Sequence, residues 1–265
     1  MKVSVIVLTY NRESLVCETI DSILDQTFKD FELIVVDNCS QDGTEKLIQS
    51  YPDERIRYYK NENNGVIAVN RNYGIERSHG KYIAFCDDDD LWLPNKLEKQ
   101  IAVFEEDPQV GLVCTGRVDL HQDREYPRRG WKDTDFTFKS LLLKNPITGS
   151  SVVVSRNAIE HTGGFDTNPE LFAIEDYDLW LRIAKEFRVK YLNLPLVKYR
   201  FHPGAWHKTV SWTRRERFQI FHKKLLEKGV IDKELYDWAT HRIEHPPLHK
   251  SLWRLAKRFM LWTRI

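Results

Sequence analysis

Short apolar segments of high β-propensity alternate with segments of helical periodicity, and this alternation most restricts the fold. Each apolar segment is shorter than a typical helix and is followed by polar or glycine-containing residues. The strands predicted in this way are Val3–Leu8, Phe31–Val36, Ile56–Tyr59 and Tyr82–Cys86. Strands that alternate with helices form βαβ units, so we predict an α/β fold with a mostly parallel sheet flanked by helices.

Segments with helical periodicity lie between these strands and also follow them. Val16, Ile20 and Ile23 would share one face of a first helix. The other predicted elements are helices at Thr44–Ser50 and Asn70–Arg77, a helix after Pro94, strands at Val110–Cys114 and Ser151–Ser155, and a helix that begins near Glu175. The pattern is weaker from about Arg117 to Asn145, where we expect a less regular region.

Overall charge and cysteine content exclude several classes of protein. The chain has 40 Lys and Arg against 39 Asp and Glu, a formal net charge of +1, so we expect no nucleic-acid partner. Four widely spaced cysteines without a C-x-x-C pair predict reduced thiols in a cytoplasmic protein rather than a zinc site or disulfides. No run of roughly 18 apolar residues occurs that would predict a membrane-spanning helix.

Polar loops follow three of the predicted strands at their carboxyl ends. They are Thr9–Arg12, Asp37–Thr44 and Asp87–Asp90. In a parallel sheet these ends lie at one edge, where ligands bind in open α/β folds. We therefore expect the three loops to line one crevice.

Four consecutive aspartates, Asp87 to Asp90, directly follow the strand at Tyr82–Cys86. In an extended segment Asp87 and Asp89 point the same way, and hard carboxylate oxygens suit Mg²⁺ or Mn²⁺ together with phosphate. The alternative is a solvated acidic turn without a ligand. Because apolar segments on both sides fix the cluster at the sheet edge, a divalent-cation site is the favoured interpretation.

Glu175 and Asp176 are a second pair of candidate site residues, at the start of a predicted helix. Acidic residues are favoured in a first helical turn, so capping alone would explain them. A carboxylate at this position could instead accept a proton from an acceptor hydroxyl. The aspartate cluster favours this second interpretation, because transfer of a group from a diphosphate to a hydroxyl needs both a base for the nucleophile and a cation for the leaving group.

Five segments, taken together, carry a resemblance to a known family. They are Val5–Arg12, Val35–Thr44, Asn70–Ile75, Asp87–Asp90 and Glu175–Asp176. They cover roughly the first 200 residues in the expected order, and the pattern resembles the inverting family-2 glycosyltransferases. The resemblance implies a GT-A, Rossmann-like domain, a Mn²⁺ or Mg²⁺ cofactor, and addition of one sugar per encounter, since the Q-x-x-R-W motif of processive synthases is absent.

The resemblance also implies roles for individual residues. Asp176 and Glu175 would be catalytic, with Asp176 the general base and Glu175 shaping the acceptor or donor-sugar side. Asp89 would be the direct metal ligand, with Asp87 and His202 as further metal residues; an ordinary surface histidine is the alternative for His202. The residues predicted to bind the nucleotide are Thr9, Tyr10, Arg12, Asp37, Asn38, Arg71, Asp87 and Asp88.

The predicted function is inverting, metal-dependent transfer of a single sugar from a nucleotide diphosphate sugar to an acceptor hydroxyl. Asp37 would hydrogen-bond the base, commonly uracil in this family, and Arg71 would approach the diphosphate. The expected acceptor is a glycan or lipid-linked glycan in bacterial surface polysaccharide or glycolipid biosynthesis. One alternative is a sugar nucleotidyltransferase, which would need a glycine-rich loop where Thr9–Arg12 stands. The other is a non-catalytic module that binds nucleotides or carbohydrates.

Two regions are predicted along the chain. A GT-A domain spans 1–203, with a nucleotide-binding part at about 1–115 and an acceptor-facing part at about 116–203, and a helical, basic C-terminal region follows at 204–265. Its last segment, Lys250–Ile265, mixes aromatic and basic residues. Two interpretations stay open for that segment. It is either a helix at the bilayer surface, which would make the protein peripheral at the inner face of the membrane, or a helix packed on the domain.

Overall fold

The computed structural model describes residues 1–122, 124–128, 133–202 and 214–245. In this part of the chain, ten strands form one sheet. In chain order they are β1 Val3–Thr9, β2 Phe31–Asp37, β3 Ile56–Lys60, β4 Tyr82–Asp87, β5 Leu91–Trp92, β6 Val110–His121, β7 Arg124–Pro127, β8 Thr134–Phe136, β9 Val153–Ser155 and β10 Arg188–Phe201.

Nine α-helices accompany the sheet within the same described ranges. They are α1 Val16–Leu24, α2 Thr44–Gln49, α3 Ile67–Glu76, α4 Lys96–Glu106, α5 Phe138–Leu143, α6 Arg156–Thr162, α7 Glu175–Glu186, α8 Arg214–Glu227 and α9 Lys233–Glu244. Two short 3₁₀ turns lie at Gly149–Ser151 and Pro169–Leu171. The predicted α/β class, with a large central sheet, flanking helices and helices towards the C-terminus, is confirmed.

The first four strands along the chain pair side by side in the order β3-β2-β1-β4, and all three pairings are parallel. Nearly every residue of β1, β2 and β4 is buried, as in parallel sheets that are covered on both faces. Thr9 pairs with Asp37, and Leu8 pairs with Asp87. The carboxyl ends of these strands therefore lie at one edge of the sheet, as the sequence predicted.

Beyond β4 the sheet is mixed. Strand β9 is antiparallel to both β4 and β6, whereas β10 is parallel to β6. Because β9 runs against β4, with Val153 opposite Ala84, the residues that precede β9 lie at the carboxyl end of β4. This reversal brings the Gly149–Ser151 turn to the aspartates that follow β4.

Helix α3 lies close to β1, and Gly74 permits this approach. A Cβ atom at Gly74 would lie 2.8 Å from Cγ2 of Ile6, which is closer than carbon atoms normally approach, so a side chain would force Ile6 or the helix to shift. Asn70 and Arg71 are buried on the same helix. The close packing thus fixes the helix from which Arg71 reaches the site described below.

Helix α4 packs as its periodicity predicts. Leu97, Ile101 and Phe104 are all buried, and they join the core formed by β1, β2 and β4. In α7, Leu179 and Ile183 are likewise fully buried. These apolar faces anchor α4, which follows the aspartates in sequence, and α7, which begins with Glu175 and Asp176.

The chain divides into two compact units, one of residues 1–141 with 145–208 and one of residues 142–144 with 209–265. In the second unit, Phe221 and Leu225 are buried, and Nε2 of His222 lies 2.8 Å from the carbonyl oxygen of Leu142. The domain boundary near residue 203 stays a prediction. The segment Lys250–Ile265 lies outside the described residues.

Two sequence expectations concern membranes and thiols. Among the described residues, the structure contains no helix that is both long enough and apolar enough to cross a bilayer. Cys17, Cys39, Cys86 and Cys114 are all free thiols, as their spacing predicts. Burial raises the pKa values of Cys86 and Cys114, so these two thiols are unreactive components of the core.

Candidate active site

A cavity of about 430 Å³ opens where β1, β2 and β4 end. Apart from Asp37 and His202, all of the residues predicted for the site line this cavity. They are Thr9, Tyr10, Arg12, Asn38, Arg71, Asp87, Asp88, Asp89, Glu175 and Asp176. The expectation that the three polar loops share one crevice is met, and α7 contributes the two remaining acidic residues.

Asp90 holds the aspartate turn in place. It is fully buried, and its carboxyl group accepts hydrogen bonds from Ser150 Oγ at 2.5 Å and from the backbone N–H of Arg200 at 3.0 Å. Ser150 Oγ in turn accepts a bond from the backbone N–H of Asp87 at 3.1 Å. Burial, followed by repulsion from Asp87 and Asp89, raises the pKa of Asp90 well above its usual range. Asp90 is therefore structural, and it positions the three aspartates before it at the cavity.

Asp89 and His202 form a pair of candidate metal ligands. Oδ2 of Asp89 lies 2.9 Å from Nε2 of His202, and Arg200 Nε donates a hydrogen bond of 2.9 Å to the backbone carbonyl of Asp89. Among the residues that the structure describes, no group of three or more His, Cys, Asp or Glu side chains is arranged to hold a metal ion. Asp89 and His202 would supply part of a cation's shell, as is usual where phosphate oxygens and water complete it.

Arg12 contacts the turn through Asp88. Its Nε lies 3.3 Å from Oδ1 of Asp88, and the backbone N–H of Arg12 donates to Thr44 Oγ1 at 3.0 Å. Burial and the neighbouring Asp89 raise the pKa of Asp88 to about 7, against the opposing effect of Arg12. This contact ties the loop after β1 to the loop after β4.

Arg71 joins α3 to the acidic residues of both β4 and α7. Its NH1 atom donates to Oε1 of Glu175 at 2.5 Å, and its NH2 atom lies 3.8 Å from Oδ1 of Asp87. The exposed fractions of the Arg71 and Glu175 side chains are only 9% and 8%. A buried guanidinium between two carboxylates brings segments that are far apart in sequence to one place.

One carboxylate oxygen of Asp176 accepts a hydrogen bond within α7, and the other faces the cavity. Oδ1 accepts a hydrogen bond of 2.6 Å from the backbone N–H of Tyr177. A Cβ atom added at Gly149 would lie 3.9 Å from Oδ2 of Asp176 and 4.0 Å from Oδ2 of Asp87. These two carboxylate oxygens therefore face one small space beside Gly149.

The charge state of Asp176 suits proton transfer near neutral pH. Burial, followed by repulsion from Glu175, raises the pKa of Asp176 to about 7, whereas Arg71 acts in the opposite direction. Asp176 is not the N-cap residue of α7, which is Ile174, but it accepts a hydrogen bond from an N–H of the first helical turn and also lies on the cavity wall. The two interpretations offered by the sequence do not exclude each other.

Asp37, which was predicted to bind the nucleotide, does not line the cavity. Its side chain is fully buried; Oδ1 accepts from the backbone N–H and the hydroxyl of Ser40, and Oδ2 accepts from the Tyr58 hydroxyl at 2.6 Å. The carboxylate thus folds the loop after β2. Asn38, the next residue, lines the cavity, and its Oδ1 accepts from the backbone N–H of Asn63. The predicted contact of Asp37 with a base stays a prediction.

Sequence reasoning missed several residues on the cavity wall. They include Asn63, Asn70, Arg117, Thr148, Gly149 and Tyr199. Arg117 lies in β6, which continues through His121, where the sequence pattern had suggested a less regular region. Two of these residues had a sequence signal: Asn70 begins the segment Asn70–Ile75 that carries the resemblance, and Tyr199 lies three residues before His202.

Comparisons with known proteins identify relatives of this chain. A family model described as glycosyl transferase family 2 matches residues 4–162. A protein named an uncharacterised glycosyltransferase from Rickettsia bellii is 33% identical over 244 residues, which cover 88% of this chain and 35% of that protein. The putative teichuronic acid biosynthesis glycosyltransferase TuaG of Bacillus subtilis is 36% identical over 202 residues, which cover 75% of this chain and 78% of TuaG.

Solved structures are similar in fold. TarS 1–349 from S. aureus in complex with UDP-GlcNAc has a TM-score of 0.74 at 19% identity, covering 92% of this chain and 71% of that chain. The mannosyltransferase PcManGT from Pyrobaculum calidifontis in complex with GDP-Man and Mn²⁺ has a TM-score of 0.66 at 20% identity, covering 98% and 80%. The present chain spans 35% to 40% of the length of the Rickettsia bellii and Rickettsia felis relatives.

Proposed function

This chain belongs to glycosyl transferase family 2, and we propose that it transfers a single sugar from a nucleotide diphosphate sugar to an acceptor hydroxyl, with inversion at the anomeric carbon. The observation that carries the proposal is the convergence of Asp176 and Asp87 on the space beside Gly149. A direct displacement needs a base on one side of the anomeric carbon and the leaving group on the other. The two carboxylates are arranged around one space in which that carbon would fit.

Asp176 is the proposed general base. Because Oδ1 is engaged by the N–H of Tyr177, Oδ2 is the atom that would receive the proton from the attacking hydroxyl. A pKa of about 7 makes this carboxylate a stronger base than an exposed aspartate, while much of it remains ionised near neutral pH. Attack from the face opposite the diphosphate would invert the configuration.

Arg71 is proposed to orient the acidic residues and to balance charge. It holds Glu175 in an ion pair and lies close to Asp87. Its positive charge favours the ionised form of Asp176 and would offset the negative charge that grows on the departing diphosphate. Glu175, fixed by Arg71, would shape the sugar side of the cavity.

Asp89 and His202 are proposed to hold Mn²⁺ or Mg²⁺, with Asp87 beside them. Carboxylate oxygen and imidazole nitrogen suit Mn²⁺ well, and oxygen donors of the diphosphate and water would complete either ion's shell. When bound, the ion would stabilise negative charge on the leaving nucleotide diphosphate. Arg200 fixes the backbone of Asp89 and so helps to hold the Asp89 side chain next to His202, as metal binding by the two would require.

The nucleotide is proposed to lie along Thr9, Tyr10, Arg12 and Asn38. The structural neighbours bind UDP-GlcNAc or GDP-Man; we propose a UDP-sugar, because uracil is the common base in this family. The relation to TuaG favours a glycan or lipid-linked glycan acceptor in the biosynthesis of a bacterial surface polysaccharide. Contact with the inner face of the membrane through residues 250–265 is a further part of the proposal.

A panel of nucleotide sugars tests the proposal. We expect calorimetry to detect binding of one donor, tighter with Mn²⁺ than with a chelator, and chromatography to detect release of its nucleoside diphosphate. Loss of a residue that supports a metal ligand typically costs about 10- to 100-fold in metal affinity. Asp89→Ala removes the proposed direct ligand, so it should weaken Mn²⁺-dependent donor binding by at least about 10-fold.

Asp30→Ala is the matched control for this experiment. The side chain of Asp30 is 62% exposed and its ion-pair partner is the chain's amino terminus at 3.8 Å, so donor binding should be unchanged. Equal donor affinity with and without Mn²⁺ in the wild-type protein would refute the metal assignment. Failure of every donor in the panel to bind or turn over would refute the proposed function itself.

A further inference from the structure

Arg117 is a cavity residue that the proposed mechanism does not use. It lies in β6 and is held on three sides. Its Nε donates to Oδ1 of Asp119 at 2.9 Å, its NH1 atom donates to Thr148 Oγ1 at 3.1 Å, and its guanidinium lies 3.9 Å from the ring centre of Tyr199. A guanidinium fixed in this way has little freedom left to lose on binding a ligand.

Hydrogen-bond donors remain on the fixed guanidinium. Arginine has five N–H donors, and the bonds to Asp119 and Thr148 engage Nε and NH1. The NH2 atom donates to none of the residues in the described ranges. Since Arg117 lines the cavity, its unused donors are available to a molecule that enters there.

The local charge is not balanced. Arg128 also pairs with Asp119, Nε to Oδ2 at 2.9 Å, so two guanidinium groups share one carboxylate. Asp90 also attracts Arg117, but it is fully buried and already accepts bonds from Ser150 and Arg200. The pair of arginines therefore carries more positive charge than its partner neutralises.

The position of Arg117 separates it from the nucleotide residues. In the sheet order β2-β1-β4-β9-β6, Asn38 and Arg12 follow strands on one side of β4, whereas Arg117 belongs to a strand on the other side. Thr148, which bonds Arg117, directly precedes Gly149. Arg117 thus lies next to the space between Asp176 and Asp87, but away from the end of the cavity where the nucleotide is proposed to bind.

We propose that Arg117 binds an anionic group, a phosphate or a carboxylate, that the acceptor carries close to the hydroxyl that is glycosylated. The inference rests on the proposed function and adds the chemical class of the acceptor. Two parallel N–H donors of a guanidinium match the oxygens of either anion, and such charge-assisted bonds are about twice as strong as neutral ones. A neutral acceptor would leave the excess positive charge without a partner.

The test uses three probes with the same carbon skeleton: glycerol 3-phosphate, glycerate and glycerol. Binding of each is measured by calorimetry at low ionic strength to the protein saturated with UDP and Mn²⁺. We expect one or both anions to bind at least about 10-fold more tightly than glycerol, as charge-assisted bonds to arginine imply. The tighter of the two anions identifies the group as phosphate or carboxylate.

Arg117→Gln should remove this preference for the anion, whereas Arg117→Lys should retain part of it, because lysine keeps the charge but loses the fork of donors. Arg128→Gln is the matched control. It removes the excess charge on Asp119 but leaves the Arg117 donors in the cavity; because the Arg128 side chain is 58% exposed and its charge is screened by solvent, anion affinity should fall by no more than about 5-fold, much less than in Arg117→Gln. UDP affinity should be preserved in Arg117→Gln, and thermal unfolding should show that the variant, although it loses these contacts, is still folded at the temperature of the binding experiment.

Three results would overturn the inference. They are equal affinity for all three probes, anion binding that UDP displaces, and loss of UDP affinity in Arg117→Gln, which would assign Arg117 to the donor. The proposed function is judged separately by donor turnover in the wild-type protein. Donor turnover without anion binding would defeat this inference alone, and anion binding through Arg117 without turnover of any donor would defeat the proposed function.

Discussion

Asp176→Asn should lower the turnover number by about 100- to 10,000-fold, the usual contribution of a general base. Asparagine keeps the size of the side chain and the oxygen that accepts from Tyr177, but its amide cannot take a proton from the attacking hydroxyl. The affinity for UDP should therefore be preserved. Release of the nucleoside diphosphate and calorimetric UDP binding measure the two quantities on one preparation.

The pH dependence gives an independent readout of the same residue. Only ionised Asp176 can act as a base, and burial raises its pKa to about 7. In the wild-type protein, kcat/KM should therefore rise with pH up to about 7 and level off above it, and this limb should vanish in Asp176→Asn.

Glu186→Gln is the control for the Asp176 variant. It makes the same acid-to-amide change on the same helix at an exposed position, so turnover should match the wild type. Full activity of Asp176→Asn would remove Asp176 from the mechanism. Loss of UDP binding together with turnover would assign it a structural role instead.

Arg71→Met should lower the free energy of unfolding by about 3–5 kcal/mol, the typical cost of removing one partner of a buried ion pair. Glu175 would keep its charge in a site where its exposed fraction is only 8%. Oε2 of Glu175 already lacks a hydrogen-bond partner among the described residues. Denaturant unfolding measures the loss, and the thermal midpoint should fall by roughly 6–20 °C.

A double variant separates charge burial from lost packing. If the cost arises because Glu175 is left unpaired, Arg71→Met with Glu175→Gln should be more stable than Arg71→Met alone. Arg77→Met, at the carboxyl end of the same helix, removes an arginine that pairs with the 72% exposed Glu76 and stacks on the ring of Tyr73, and it should cost no more than about 2 kcal/mol. Equal stability of the single and double variants would show that the ion pair is not the source of the effect.

Arg71→Met should also change the pH profile of any remaining activity. Arg71 lowers the pKa of Asp176, so removing it should move the ascending limb of kcat/KM to higher pH. This shift is expected only if Arg71 acts on the base electrostatically.

The first half of the fold was predictable because its signals are local. The predicted strands Val3–Leu8, Phe31–Val36, Ile56–Tyr59 and Tyr82–Cys86 each differ from the observed strand by a single residue at the carboxyl end. Before their last residues, β1, β2 and β4 are apolar except for Ser4 and Glu32, as a parallel sheet buried on both faces requires. Strand β3, at the end of the strand order, is half-buried and contains Arg57. The order of these strands along the chain then places the three polar loops at one edge.

The second half was harder to predict because its strands are set by long-range pairing. Strand β10 contains Pro195 and polar residues, and its register against β6 shifts on both sides of that proline. Neither strict alternation nor a nearly continuous apolar run marks such a strand. The antiparallel direction of β9 is likewise a property of the folded sheet, although Ser151–Ser155 was recognised as a strand.

The site follows the same division. Asp87, Asp89 and Asp176 stood out because carboxylates at strand ends and helix starts carry a local signal. Arg117 and Gly149 reach the cavity only through the pairing of β6 and β9, which no local pattern reveals. Asp37 shows the converse. Its carboxylate, at the end of β2, was conspicuous in the sequence, but it accepts hydrogen bonds from Ser40 and Tyr58 instead of lining the cavity.

The stereochemistry of sugar release tests the central claim most directly. Water can take the place of the acceptor, so the wild-type protein with its best donor and Mn²⁺ should slowly release free sugar, whose first-formed anomer proton NMR identifies before mutarotation. Attack opposite the diphosphate, assisted by Asp176, predicts that an α-linked donor yields the β-anomer first. An α-anomer formed first would contradict a single inverting displacement between Asp176 and the aspartate turn.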